Sequence, residues 1–251
     1  MSGAFLITGA AKRIGRQLAL DLADAGFDIA VHYSASRDAA EDVARQVQAK
    51  GRRAVLVGGD LADAAAPAHI MAQATRDLGV ISGLINNASL FEEDDIGTLT
   101  LESWSQHIDI NLRAPVLLAQ AFAKALPGDR EGNIINMLDQ RVLRLNPQFF
   151  SYNISKTALW TATRTLAQAL APRIRVNGIG PGPALPSARM DEADFAKQKS
   201  LTLLERGTSP EEISAAVKFI LSQPSLTGQM IALDGGQHLL WQTRDVTGVK
   251  E

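Results

Sequence analysis

Residues 133–156 read NIINMLDQRVLRLNPQFFSYNISK, and the fold of the whole chain turns on them. The apolar run 133–138 has the character of a strand buried on both faces. Asp139 ends it, a loop follows, and a helix begins near Ser151 and continues to about residue 170. Tyr152 and Lys156 lie four residues apart, hence on one helical face, one turn above each other. An ammonium beside a phenol stabilises phenolate. The pair therefore predicts a tyrosine whose pKa is held below its ordinary ~10 and which exchanges a proton near neutrality.

Outward from this segment, strand and helix patterns alternate. Strands are expected at 4–8, 28–33, 53–57, 83–86, 175–178 and 229–233, with helices at 13–25, 37–50, 64–78, 101–126 and 209–222. The helical region 101–126 is expected to break near Arg113-Ala114-Pro115. Ser209-Pro210-Glu211-Glu212 has the form of a capping box with proline at the first helical position. Strands separated by helices of ten or more residues require crossover connections. The expectation is an α/β fold: one Rossmann-type domain over 1–251, doubly wound, with about seven parallel strands and helices on both faces. Such sheets bind ligands beyond the carboxyl ends of their strands. Thr8, Asn86-Asn87-Ala88-Ser89, Asp139 and Gly180-Pro181-Gly182 fall at those ends and should converge.

Composition narrows the function. Of 251 residues, 46% are hydrophobic and 21% charged, enough apolar material for a full core. The balance of 25 basic against 27 acidic side chains gives −2, which argues against nucleic-acid or membrane-surface partners. The chain has no cysteine, which excludes thiolate chemistry and suits a reducing, cytoplasmic compartment. The four histidines (His32, His69, His107, His238) lack ligand spacing, so no metal site is expected.

The first strand-to-helix turn reads TGAAKRIG, residues 8–15. Gly9 and Gly15 frame it, with Lys12, Arg13 and Ile14 between. Cations in the first turn of a helix oppose its dipole unless an anion is present, which points to a bound phosphate. After the second strand, His32-Tyr33-Ser34-Ala35-Ser36-Arg37 offers no carboxylate to hold ribose hydroxyls. Arg37 stands available for a 2′-phosphate instead, so the expected cofactor is NADPH.

Taken together, Thr8-Gly9, Gly15, Asp60-Leu61, Asn86-Asn87-Ala88, Asn111, Tyr152-x-x-x-Lys156 and Pro181-Gly182 resemble the short-chain dehydrogenase/reductase family from residue 4 to about residue 241. The resemblance implies that Tyr152 transfers the proton and that Lys156 holds the nicotinamide ribose. It implies that Asn111 positions a water in the proton relay and that Asp60 approaches the adenine. Gly9, Lys12 to Gly15, His32 to Ser34, Arg37, Asp60, Leu61, Asn87 to Ser89, Pro181 and Gly182 would line the cofactor. Two departures are informative. Arg13 replaces the middle glycine of the turn, and Asp139 replaces the serine normally thirteen residues before the tyrosine.

Both departures are similar to the pteridine reductase branch, and bacterial dihydromonapterin/dihydrofolate reductases share the aspartate. There an aromatic after Asn-Ala-Ser stacks on the pterin, a place filled here by Phe91. An ionised aspartate cannot donate a hydrogen bond to a ketone, but it can accept one from a ring or amino N–H. The expected reaction is hydride transfer to a C=N bond of a pterin or dihydrofolate-like substrate. That substrate would lie between nicotinamide and Phe91, with Arg13, Asp139 and Tyr152 also in contact. Two other readings stay open: a ketone or 3-oxoacyl reductase, and an NADP-sensing regulator. Family members associate through helices matching 101–126 and 151–170. Trp160, Leu166 and the apolar segment His238-Leu239-Leu240-Trp241 therefore predict a homotetramer, or at least a dimer.

Overall fold

The computed structural model describes residues 3–187 and 189–243. Seven parallel strands form one sheet in the order β3-β2-β1-β4-β5-β6-β7. They are β1 (Ala4–Ile7), β2 (Asp28–Tyr33), β3 (Ala54–Gly58), β4 (Ile81–Asn86), β5 (Gly132–Met137), β6 (Ile174–Pro181) and β7 (Met230–Leu233). The strand residues alternate between two cores, as a period of two dictates. Phe5, Ile7, Ile29, Val31, Ile135 and Met137 face one core. Ala4, Leu6, Ala30 and Ile134 face the other. Both faces are covered, which is why these strands read as continuous apolar runs.

Helices α1 (Arg13–Asp24), α2 (Arg37–Ala49) and α8 (Pro210–Ser222) cover the first face through Leu18, Leu22, Val43, Val47, Val217 and Ile220. On the second lie α3 (Ala66–Leu78), α5 (Ala114–Ala125) and α6 (Phe150–Leu170), which contribute Ile70, Ala74, Leu118, Phe122 and Ala167. The capping box forms: Glu212 N–H donates to Ser209 Oγ at 3.2 Å, and Ser209 N–H donates to Glu212 Oε2 at 3.0 Å.

Three elements differ from the sequence expectation. The break near Pro115 is instead a wide π-helical turn, Asp109–Arg113, joining α4 (Leu101–Ile108) to α5 without a stop. Proline there falls in the first turn of α5, where a missing N–H costs little. Strand β6 runs to Pro181, three residues further than its apolar pattern, because Gly180 and Pro181 pair with Ala232 and Leu233. Helix α7 (Glu192–Ser200) has no counterpart in the sequence reading. None of its residues is buried, so it carries no apolar stripe to announce itself. Its support is local: Asp191 accepts the Asp194 N–H at 2.8 Å, with acidic residues in the first turn and lysines in the last.

The chain starts mid-sheet, winds out to β3, then crosses back to place β4 beside β1. A crevice opens where the winding reverses.

Candidate active site

Thr8 closes the base of that crevice. Its Oγ1 accepts the N–H groups of Asn87 and Ala88, both at 2.9 Å. Asn87 Nδ2 in turn donates to the carbonyls of Thr8 (2.9 Å) and Gly9 (3.2 Å). Gly9 takes φ +62°, and a Cβ on Gly15 would lie 2.2 Å from Gly9 O and 2.6 Å from Asn87 Nδ2. Glycine relieves strain at the first position and is required at the second.

His32 supports the turn from beneath. It is 1% exposed. Its Nδ1 accepts from Gly9 N–H at 3.1 Å, so Nε2 carries the proton and donates to Gly59 O at 3.1 Å. His32 therefore shapes the cradle rather than touching a ligand, a correction to its expected role. Burial pushes its pKa down to about 4, against the opposing Gly59 hydrogen bond and Asp60 charge. The unfolded chain binds a proton near pH 6.5 that the folded chain excludes until about 4. This contribution to stability is complete above pH 6.5 and is lost as the pH falls toward 4. Its full size is about 3 kcal/mol. Urea unfolding from pH 7 to 4.5 should show that loss in the parent and its absence in His32→Asn.

Lys12 and Arg37 meet around a second hollow of about 360 Å³, completed by residues 35–36 and 38–39. Ser36 lines this hollow and Ser34 does not. Arg37 also reaches Glu41 at 2.9 Å and Tyr33 Oη at 3.4 Å. Asp60 Oδ1 accepts the Ala62 N–H at 2.9 Å, while Leu61 is buried beside it. The glycine turn, a helix N-terminus and two cations around a hollow are a donor set that fits a phosphorylated dinucleotide.

The main cleft, about 460 Å³, brings together Arg13, Ile14, Asn87, Ser89, Phe91, Asp139, Tyr152, Lys156, Pro181 and Gly182. At its floor Tyr152 Oη donates to Asp139 Oδ2 at 2.7 Å. Lys156 Nζ donates to Met137 O at 2.7 Å and lies 5.8 Å from the Tyr152 ring centre. Burial pushes the Tyr152 pKa well above its ordinary value, and the Asp139 charge and hydrogen bond push the same way. The expected lowering by lysine is thus overturned: the phenol is a held proton donor. Burial also raises the Asp139 carboxyl, opposed by the Arg141 N–H and charge and by the Tyr152 hydroxyl. The same desolvation lowers Lys156 to about 8, with Asp139 opposing.

Asn111 occupies the π-helical turn and is fully buried. Its Oδ1 accepts from Leu90 N–H (2.8 Å) and Ser89 Oγ (3.2 Å). Its Nδ2 donates to Leu90 O (2.9 Å) and Ser155 Oγ (3.1 Å). All four hydrogen-bonding positions of the amide are taken. The side-chain amide therefore has no free position for the expected water, and it pins the loop after β4 to α6.

Arg13 adopts φ +54°, the left-handed conformation a glycine would take freely. Its Nη1 and Nη2 donate to Pro186 O (2.9 Å) and Leu185 O (3.4 Å) across the cleft. It acts as a strap to the loop after β6, rather than lying free for pyrophosphate or substrate. Phe91 differs as well. Its face is already covered by Phe149, with centroids 4.3 Å apart and planes at 11°, and the Tyr152 ring meets it edge-on at 4.7 Å.

Four residues of this site have no place in the sequence reading. Phe149 takes φ +54° at the start of α6. Arg141 and Arg189 flank the Phe91–Phe149 pair, with guanidinium carbons 4.8–5.9 Å from the ring centres. Asp94 caps α6 from the β4 loop: its Oδ1 accepts Ser151 N–H at 3.0 Å, its backbone O accepts Phe150 N–H at 3.1 Å, and Ser151 Oγ donates to Oδ2. Burial raises the Asp94 carboxyl, but the Ser151 and Ser103 hydrogen bonds hold it below its ordinary value. His107 completes the cluster, with Nε2 accepting from Glu92 N–H (3.1 Å) and Nδ1 lying 2.7 Å from Ser151 Oγ. The aromatic pair Phe149-Phe150 directly before a helix was the one available signal.

Residues 9–238 match the family model described as enoyl-(acyl carrier protein) reductase, and the chain belongs to this family of short-chain dehydrogenases/reductases. Among solved structures, FolM alternative dihydrofolate reductase 1 from Brucella suis, in complex with NADP, is 48% identical, with TM-score 0.95 and 98% of each chain covered. A short-chain dehydrogenase/reductase from Serratia marcescens is 30% identical, with TM-score 0.88, covering 94% of this chain and 98% of that one. The 3-oxoacyl-[acyl-carrier-protein] reductase FabG of Staphylococcus aureus is 30% identical over 244 residues, 95% of this chain and 99% of that protein.

Proposed function

We propose that this chain is an NADPH-dependent reductase that delivers hydride to a C=N bond of a reduced pterin or dihydrofolate-like heterocycle. The observation that carries the reading is Asp139, hydrogen-bonded at 2.7 Å to Tyr152 where ketone reduction would use a serine donor. An aspartate paired with a protonated phenol accepts ring or amino N–H groups and leaves the phenol as proton source. NADPH, when bound, supplies the hydride. Gly9, Gly15, Asn87, Lys12 and Arg37 would hold its phosphates, and Lys156 its nicotinamide ribose. Tyr152 gives its proton to the ring nitrogen as the adjacent carbon is reduced. Asp139 orients the phenol and holds the heterocycle's N–H. The 48% identity to a structure named as a dihydrofolate reductase supports this reading.

A second reading, reduction of 3-oxoacyl thioesters, is favoured by the names of the 30% identical relatives. One assay separates the two: NADPH oxidation against dihydropterins, dihydrofolate and acetoacetyl thioesters. Turnover of thioesters alone would reject the heterocycle. For the cofactor, Lys12→Ala and Arg37→Ala should each weaken NADPH about tenfold and leave NADH unchanged, the effect of one charge-assisted phosphate contact. Equal kcat/KM for the two cofactors in the parent would reject the 2′-phosphate assignment.

Among the described residues no helix is long and apolar enough to cross a membrane, and we place the enzyme in the cytoplasm on its lack of cysteine. We also read it as a homotetramer. Leu166 is partly buried against the second core. Trp160 under Arg164 (4.9 Å), Leu239 (58% exposed) and Trp241 (61% exposed) remain for subunit contacts. Light scattering at micromolar concentration should give four times the chain mass; a monomer there would reject the assignment.

A further inference from the structure

The cleft holds four cationic side chains, and three have partners. Arg13 donates to the carbonyls of Pro186 and Leu185. Arg189 pairs with Glu92 at 2.6 Å and donates to Phe91 O at 2.7 Å. Lys156 donates to Met137 O. Arg141 differs. Its Nη1 is buried and makes no hydrogen bond. Among the described residues no ion pair includes it. Its guanidinium carbon lies 4.8 Å from the Phe149 ring centre and 5.3 Å from that of Phe91. Aromatic faces favour a cation but accept no hydrogen bond in the plane of the fork. A buried charged donor left without an acceptor is unfavourable, and such groups in a binding cleft are completed by what binds there.

The position of the vacant donor restricts the acceptor. Arg141 stands two residues from Asp139, and its backbone N–H donates to Asp139 Oδ1 at 2.8 Å. Asp139 Oδ2 receives the Tyr152 hydroxyl. The guanidinium carbon is 5.3 Å from the Phe91 ring centre, and that ring meets the Tyr152 ring at 4.7 Å, so the acceptor assigned to it belongs to the ring beside Tyr152 and not to a remote substituent. Carboxylate and guanidinium together complement a ring edge that offers an N–H and a carbonyl side by side, the edge of a cyclic amide.

We propose that Arg141 is a specificity-determining residue that donates to a carbonyl oxygen on the reacting heterocycle while Asp139 accepts the neighbouring N–H. This assignment rests on the heterocycle reading above and goes beyond it, because it names the edge that is read and moves that reading from Arg13 to Arg141. The site rejects a ring whose carbonyl is replaced by an amino group, since two donors would then face each other.

The test uses the full chain, with Arg141→Met to remove the donors and Arg141→Lys to keep the charge without the fork. KM and kcat are measured for a 4-oxo dihydropterin, and Kd for its 2,4-diamino analogue by titration calorimetry with NADP bound. Circular dichroism and NADPH binding check that the variants fold. Arg141→Met should raise the oxo-substrate KM about 10- to 100-fold, as for a lost hydrogen bond to a charged donor, with kcat little changed. The diamino Kd should stay equal or tighten, and Arg141→Lys should recover part of the KM. Equal weakening of both ligands would mean that Arg141 only packs against the phenylalanines, and that overturns the assignment. An unchanged KM overturns it too. A parent enzyme that reduces no dihydropterin or dihydrofolate overturns the heterocycle reading and this proposal together. A parent that reduces them, with an unaltered Arg141→Met variant, overturns this proposal alone.

Discussion

Tyr152→Phe should lower kcat by about 10²- to 10⁴-fold, the usual contribution of a positioned proton donor. NADPH affinity should hardly move. The phenol is buried, pushed up in pKa and directed at Asp139, so phenylalanine removes one hydroxyl from a packed ring without opening a cavity. Its edge contact with Phe91 at 4.7 Å is retained. The variant leaves the Asp139 carboxylate without its donor, which raises the carboxyl further. Stopped-flow measurement of NADPH oxidation at saturating substrate is the direct check. A variant with more than a tenth of parental kcat would remove Tyr152 from the chemical step.

Asp139→Ser is the second large expected effect. Serine restores the donor that carbonyl reduction uses and removes the acceptor that a heterocyclic N–H needs. Heterocycle turnover should fall roughly 10²-fold, with the loss shared between kcat and KM because Asp139 touches both the phenol and the substrate. A gain of activity on acetoacetyl thioesters should accompany it. Loss of the carboxylate charge and hydrogen bond should also lower the tyrosine pKa, while burial continues to hold it above its ordinary value. Its ultraviolet titration therefore gives a second readout. Unchanged heterocycle turnover in Asp139→Ser would detach the aspartate from substrate recognition.

The strands and the Tyr152–Lys156 spacing were legible because each is a local, periodic pattern. A strand buried on both faces is a short apolar run, and a helix places i and i+4 together whatever surrounds it. The loop chemistry was legible only where one residue type has one use, as with Gly9 and Gly15. What escaped depends on contacts between distant segments. Phe149 covers Phe91 across 58 positions of sequence, and only because its backbone turns left-handed ahead of α6. Arg13 ties the glycine turn to the loop after β6, and Arg189 ties that loop to the one after β4, roles that no spacing encodes. Helix α7 is wholly surface and has no pattern to find. The electrostatics also required the fold. Lysine one turn from tyrosine predicts an acidic phenol, but desolvation and a neighbouring carboxylate outweigh it.

The cap of α6 has a mechanical consequence. The helix that carries Tyr152 and Lys156 begins at a left-handed residue without a side-chain cap of its own, and Asp94 supplies one from the loop that also bears Phe91. Catalytic helix and binding loop therefore share a joint. When the loop lifts, the first turn of α6 loses its two acceptors in the same event, so loop breathing and helix fraying are one motion with one free energy. Hydrogen exchange at the amides of Phe150 and Ser151 would report the opening of a segment more than fifty residues away. A ligand that holds the loop down stiffens the proton donor without touching it.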